Sequence, residues 1–294
     1  METANTGGTT SGTIGSTTKL SKRLRRKKAG KVWGNVFAVA VFTFIYIPIA
    51  MMILFSFNDQ RTNYYWNGFT LDWYEYLFTR SDLWGYLVVS LIVAVASVVL
   101  SLVIGTLGAM VLMRFEFKMK KLINNSLYIP IVIPEVVLGI SMLMLFEIAH
   151  FPLGYWSMIL AHTTFCIPFV VIIMRGRMAG MDMSVEEASQ DLGANRITTF
   201  FRITLPMLVP GLLSSAFMSF TLSIDDVIIT NFVTGPYATT LPIKILSMVK
   251  VGLKPEVNAM TTIMVVVLIL GILINNVVQA LMKKRALANR KTYF

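Results

Sequence analysis

The chain has 294 residues, is 55% hydrophobic and carries a formal charge of +11. Its mean hydropathy of +0.69 is too high for a soluble globular domain, and the apolar residues come in blocks of about 20 or more, each long enough to cross ~30 Å of hydrocarbon. The positive charge is not read as nucleic-acid binding, because no aromatic-basic module accompanies it.

Residues 1–32 read as a disordered, basic cytoplasmic tail: the first ~18 are rich in Thr, Gly and Ser, and the segment holds eight Lys/Arg. The apolar stretch that follows is too long for the core of a secretory signal and lacks a small-residue cleavage site. Six spans are expected, at 33–57, 85–113, 122–148, 153–174, 206–231 and 257–281. In lipid only helices or closed barrels satisfy the backbone, and runs this continuous are helices. The expected fold class is an all-α membrane protein with six transmembrane helices, closed by a basic tail over 282–294. Of the 26 Lys/Arg, 21 lie in 1–32, 114–121, 175–205 and after 281, and five in the alternate segments. Both termini are therefore expected to be cytoplasmic, with the basic tails also able to grip anionic lipid. Cys166 is the single cysteine, which leaves no internal disulfide and no thiolate metal site.

The spans are unevenly interrupted. Pro48 lies in the first, Pro130, Pro134 and Gly139 in the third, and Pro168 in the fourth; each proline removes a helical hydrogen bond and bends the axis. The Pro130/Pro134 pair is singled out because Glu135 follows it. The fifth span carries a small, weakly polar stripe, Gly211, Ser214, Ser215, Ala216, Ser219 and Ser223, expected to line a subunit interface or the transport path, since small residues let helices approach closely in a bilayer.

Between the fourth and fifth spans, residues 175–205 are too polar to lie in lipid. Ser184 and Glu187 have the spacing of a capping box. The helix this starts places Val185, Ala188, Ser189 and Leu192 on one face. Gly193 suits a left-handed C-cap, and Asn195 opens a second short segment carrying Ile197, Phe200, Phe201 and Ile203 before Pro206. The expectation is a helix, a sharp bend and a second helix held under the bilayer.

Four acidic residues fall in or near the spans: Glu135, Glu147, Asp225 and Asp226. A carboxylate in hydrocarbon costs at least ~2.5 kcal/mol, so each needs a partner or a wet cavity. With a rise of about 1.5 Å per residue, unbroken helices place Glu135 about 20 Å, and Asp225 and Asp226 roughly 28 Å, from the cytoplasmic starts of their spans. Carboxylates in the outer half suit a cationic cargo arriving from outside, so Glu135, Asp225 and Asp226 are substrate-path candidates. Glu147 also reads as an interfacial residue, and one of Asp225 and Asp226 as a helix cap.

The register Glu187-Ala188-Ser189, three residues, Gly193, nine residues, Ile203, one residue, Leu205-Pro206 resembles the EAA loop of the membrane subunits of ABC importers, with Ser189 replacing the second Ala. The stretches Ser219–Val227, Phe232–Pro236, Leu241–Gly252, Pro255–Ala259, His162–Val171 and Asn67–Thr70 are similar to permeases of the spermidine/putrescine (PotC-type) branch. The resemblance implies a type I ABC importer permease fold in a bacterial inner membrane and uptake of polyamines by alternating access. It also implies that Glu187, Ala188, Ser189, Gly193, Ile203, Leu205 and Pro206 couple to a separate ATPase. The implied partners are an ATP-binding subunit dimer, a second homologous permease, an extracytoplasmic polyamine-binding protein and membrane lipid, with no nucleic acid. This chain would hold no cofactor: no GxxxxGK[ST] run occurs in it, so ATP and Mg are left to the partner. The aromatic outer loop 58–83, with Tyr64, Tyr65, Trp66, Phe69, Trp73, Tyr74 and Tyr76, is a docking surface, a gate or a headgroup-level belt.

Three other readings stand beside this one. The same machine could carry another small cation or an amino-acid-like cargo. An ion-coupled carrier is disfavoured by the lack of repeat symmetry. An intramembrane enzyme is disfavoured because the two histidines, His150 and His162, belong to no metal or triad constellation.

Overall fold

The computed structural model describes residues 12–60, 65–182, 184–236, 238–252 and 255–292. The helices run in the order α1 (Gly12–Phe55), α2 (Asp72–Thr79), α3 (Leu83–Arg114), α4 (Lys120–Ser126), α5 (Ile129–Val132) and α6 (Glu135–Ile148). Next come α7 (Tyr155–Ala179), α8 (Ser184–Asp191) and α9 (Arg196–Thr199), then a π-helical turn over Phe200–Thr204. The chain ends with α10 (Leu205–Ile224), α11 (Ile228–Val233), α12 (Leu241–Val251) and α13 (Pro255–Thr292). It divides into two compact units, one of residues 1–74 with 255–294 and one of residues 75–254.

In the first unit, α1 begins at Gly12, so residues 12–32 are helical where a disordered tail was expected. Lys, Arg and Leu are good helix formers, and a span already in place lets the helix propagate through them without a new nucleus. Residues 1–11 lie outside the described residues. The membrane-length part, Trp33–Phe55, buries none of its most apolar stretch in the protein, as befits a helix facing lipid or a partner. After α1 the chain folds around Asn58, which is fully buried. Its Nδ2 donates to the Tyr65 carbonyl and its Oδ1 accepts from the Asn67 amide, both at 2.8 Å, while Trp73 Nε1 donates to the Asn58 carbonyl. Phe57 stacks on Phe69 and tilts against Tyr74. Several rings of the outer loop are thus committed to its own packing; Tyr64 lies outside the described residues.

In the second unit, α3, α7 and α10 pack face to face. Along α3 the residues Ser90, Ala94, Ser97, Ser101, Gly105 and Ala109 recur every three or four positions and are buried. A Cβ at Gly105 would lie 2.7 Å from the Val170 Cβ, so α3 and α7 are nearly in backbone contact there. Gly105→Leu is expected to lower thermal stability in detergent by about 1–3 kcal/mol or more. Gly108→Ala, whose Cβ would meet Val171 at 3.8 Å, should change little. Equal melting curves for both variants would contradict the close approach.

The fifth-span stripe corrects an expectation. Gly211, Ser215, Ser219 and Ser223 of α10 are buried inside this unit, and Gly211 lies against Arg177 and Met174 of α7. These small residues serve packing within the chain; only Ser214 among the expected hydroxyls faces outward.

Two expected spans are not continuous helices. The third breaks at Ile133-Pro134, where both residues are extended (ψ 136° and 135°), and its two arms are bent by 111°. The residue before a proline is pushed out of the helical region, so Pro134 ends α5 rather than merely kinking it. The fifth stops at Ile224, passes through Asp225–Val227, and resumes as the short α11. Gly139 of α6 receives the Phe232 ring of α11, which explains why that position has no side chain. Among the described residues, four helices are long and apolar enough to cross a membrane, or five if the bent pair counts as one span. In α13 the apolar part found is Pro255–Gly271.

Candidate functional site

The hairpin between α7 and α10 is built from short helices whose ends are explicitly satisfied. The Ser184 amide donates to Asp182 Oδ1 at 3.0 Å, so the expected Ser184–Glu187 capping box is replaced by a cap two residues earlier. A short carboxylate reaches the second amide ahead of it without a helical turn in between. The hydrogen bonds from Ser184 hold the exposed Asp182 carboxyl below its ordinary range. At the other end of α8, the Ala194 amide donates to the Ser189 carbonyl and the Gly193 amide to the Gln190 carbonyl, a Schellman arrangement. Gly193 is its left-handed residue, at φ +90°. Asn195 then accepts from the Thr198 amide at 2.7 Å and starts α9, and Ser189 Oγ lies 3.2 Å from Thr199 Oγ1, joining the two arms.

What the hairpin buries is unexpected. Its inward residue is the charged Glu186, 5% exposed, whereas Leu192 is 90%, Ile197 71% and Phe201 61% exposed. Glu186 Oε1 accepts from Arg114 Nη2 at 2.5 Å and from Thr204 Oγ1 at 2.7 Å. Glu187 and Ala188 are exposed, Ser189, Ile203 and Leu205 half-buried, and Pro206 exposed at the first turn of α10. The hairpin is therefore amphipathic in reverse, with its ion pair toward the protein and its apolar residues outward. Periodicity names the face of Val185, Ala188, Ser189 and Leu192 but gives no sign that Glu186 is drawn inward, because its partner lies 72 positions earlier in sequence.

The acidic candidates divide. Glu135 is exposed in the first turn of α6, on the far side of the 111° bend. Its expected depth assumed an unbroken helix and no longer applies. Asp225 is exposed at the end of α10. Asp226, expected on the substrate path, is instead occupied within the protein: it accepts from the Ile229 amide at 3.3 Å and from the Thr230 amide and hydroxyl at 2.7 and 2.6 Å. It caps α11, where Asp is a preferred residue because the first amides of a helix have no internal partner. His162 of α7 completes the cluster, with Nε2 2.9 Å from Thr230 Oγ1 and 3.3 Å from Asp226 Oδ2, and Nδ1 2.7 Å from Ser223 Oγ. Thr230 gives its proton to Asp226, so Nε2 faces two acceptors, the Thr230 oxygen and the Asp226 carboxylate, and donates toward them. The sequence shows each of these residues but not that α7, α10 and α11 bring them together.

Residues 97–287 match the family of binding-protein-dependent transport system inner membrane components. The chain belongs to this family. It is a multi-pass membrane component of a transport system rather than an enzyme. Among its relatives, the spermidine/putrescine transport system permease protein PotC of Escherichia coli K12 is 41% identical over 81% of this chain and 90% of its own length. The putrescine transport system permease protein PotI of the same organism is 38% identical, over 79% and 85%. A chain from the crystal structure of a bacterial ABC transporter involved in the import of the acidic polysaccharide alginate superposes with a TM-score of 0.62 at 16% identity, covering 85% of this chain and 96% of that one. That likeness shows that the two chains share a fold.

Proposed function

We propose that this chain is a permease subunit of an ATP-driven importer that moves polyamines across a bacterial inner membrane into the cytoplasm. The chain crosses six times, through α1, α3, the bent α4–α6 segment, α7, α10 and α13, with both termini cytoplasmic. The observation that carries the reading is the reversed hairpin: a polar segment that buries its charge and presents Leu192, Ile197 and Phe201 outward is shaped for a protein partner. That partner is an ATPase dimer, which binds ATP and Mg. Glu187, Ala188 and Ser189 seat in its groove, Gly193 sets the bend, and Ile203, Leu205 and Pro206 lead the motion into α10. A second homologous permease and an extracytoplasmic polyamine-binding protein complete the assembly.

Nucleotide binding drives alternating access only if it favours one global state over the other. Closure of the ATPases displaces the hairpins and opens the path outward, where the binding protein releases its cation. Glu135 and Asp225, the exposed carboxylates beside the two helix breaks, receive ammonium groups and offset part of their lost hydration. Asp226 serves differently, holding the break that presents Asp225. Similarity to polyamine permeases supports this cargo over other small cations.

Uptake of labelled putrescine and spermidine by cells expressing the complete importer tests the reading, with unlabelled amino acids as competitors. Asp225→Asn and Glu135→Gln are each expected to lower uptake severalfold while the ATPase still co-purifies. Unaffected uptake in both would remove the acidic path. Transport persisting after loss of the ATPase subunit would restore the ion-coupled carrier.

A further inference from the structure

The contact between half-exposed Arg114 and the buried Glu186 and Thr204 joins three elements that are distant in sequence. Arg114 is the last residue of α3, Glu186 lies in the first turn of α8, and Thr204 ends the π-helical turn that runs into α10. One oxygen, Glu186 Oε1, accepts from both Arg114 and Thr204. The Glu186 side chain is 6% exposed and that of Arg114 29%. Each charge also suits its own helix end, the cation at the C-terminus of α3 and the anion at the N-terminus of α8. Nothing in the docking role of the hairpin calls for a buried charge on its inner side. Separating this pair would strand a carboxylate away from water, which is far more unfavourable than moving the joined elements together. A second tie lies close by in the fold, where Arg177 at the end of α7 donates twice to the Met207 carbonyl, at 2.9 and 2.7 Å.

We propose that Glu186, clasped by Arg114 and Thr204, is the positioning residue through which displacement of the hairpin is carried into α3 and α10. The inference rests on the importer reading above, and assigns to the inner face of the hairpin a role distinct from docking. A pull on the outer face then moves α8 as one body with the end of α3 and the base of α10. Without the clasp the hairpin still binds its partner but slides against the helices it should move.

The test uses the complete importer in proteoliposomes, with three readouts: ATPase retained on purification, stimulation of ATP hydrolysis by the binding protein, and putrescine taken up per ATP hydrolysed. Glu186→Gln and Arg114→Gln are expected to retain the ATPase within twofold, to lose most of the stimulation, and to lower uptake per ATP tenfold or more. Thr204→Val should lower it about twofold. The exchange Arg114→Glu with Glu186→Arg should recover part of the loss, incompletely because both charges then oppose their helix ends. The proposal is overturned if uptake per ATP is unchanged in the single variants, if uptake falls only in step with ATPase retention, or if the exchange stays at the level of the singles. Should the single charge variants fail to accumulate, Thr204→Val decides, and an unchanged ratio overturns the clasp. An unaltered importer that hydrolyses ATP without taking up polyamine overturns the cargo reading alone, and stimulation by the binding protein then reads the clasp. An unaltered chain that retains no ATPase overturns both.

Discussion

Gly193→Val is expected to reduce uptake by the assembled importer at least tenfold while leaving membrane insertion and yield unchanged. Gly193 sits at φ +90°, a backbone conformation that a β-branched residue adopts only with strain of about 1–3 kcal/mol. A Cβ there meets nothing within 4 Å, so the effect comes from the backbone alone and cannot be confused with a clash. The strain can be relieved only by returning φ to negative values. That breaks the Ala194-to-Ser189 and Gly193-to-Gln190 hydrogen bonds and swings α9 away from α8. Gly193→Asn, which tolerates the left-handed region better, should be the milder variant. Uptake near the unaltered level in the valine variant would mean that the bend is not required for coupling.

Leu192→Asp should separate docking from folding even more sharply. Leu192 is 90% exposed, so the chain by itself loses almost no packing when it is replaced. Against a partner surface, burying a leucine contributes about 2 kcal/mol, on the order of thirtyfold in affinity, and a buried unpaired aspartate adds a further penalty. The variant is therefore expected to insert normally and to lose most of its ATPase on co-purification, with Glu187→Lys acting in the same direction more weakly. Full ATPase recovery with Leu192→Asp would place the partner interface elsewhere on the chain.

Both predictions concern a hairpin whose outline is readable from residue order. Gly193 and Asn195 mark its turn through local chemistry, since left-handed backbone and a side-chain cap are properties of single positions and their immediate neighbours. The inner side of the same hairpin was not readable. Hydrophobic spacing identifies a face without its direction, and a helix normally buries the apolar one. Here Arg114, from the end of another helix, reverses that choice for Glu186. The prolines show the same division. Pro134 announces an interruption, yet the 111° angle between the flanking arms depends on what packs beside them, including the Phe232 ring seated on Gly139.

Amino-acid order was enough for the helical membrane class, the polar hairpin and its turn, and the proline interruption before Glu135, because long apolar runs, glycines and prolines act locally and lipid leaves the backbone few alternatives. Folding in three dimensions settled which carboxylates are available. Asp225 and Asp226 are neighbours of the same chemistry, but only Asp226 meets Thr230 and His162, while Asp225 stays exposed. Such pairings join residues on separate helices, and the free energy of a buried polar group depends on partners that its own segment does not contain.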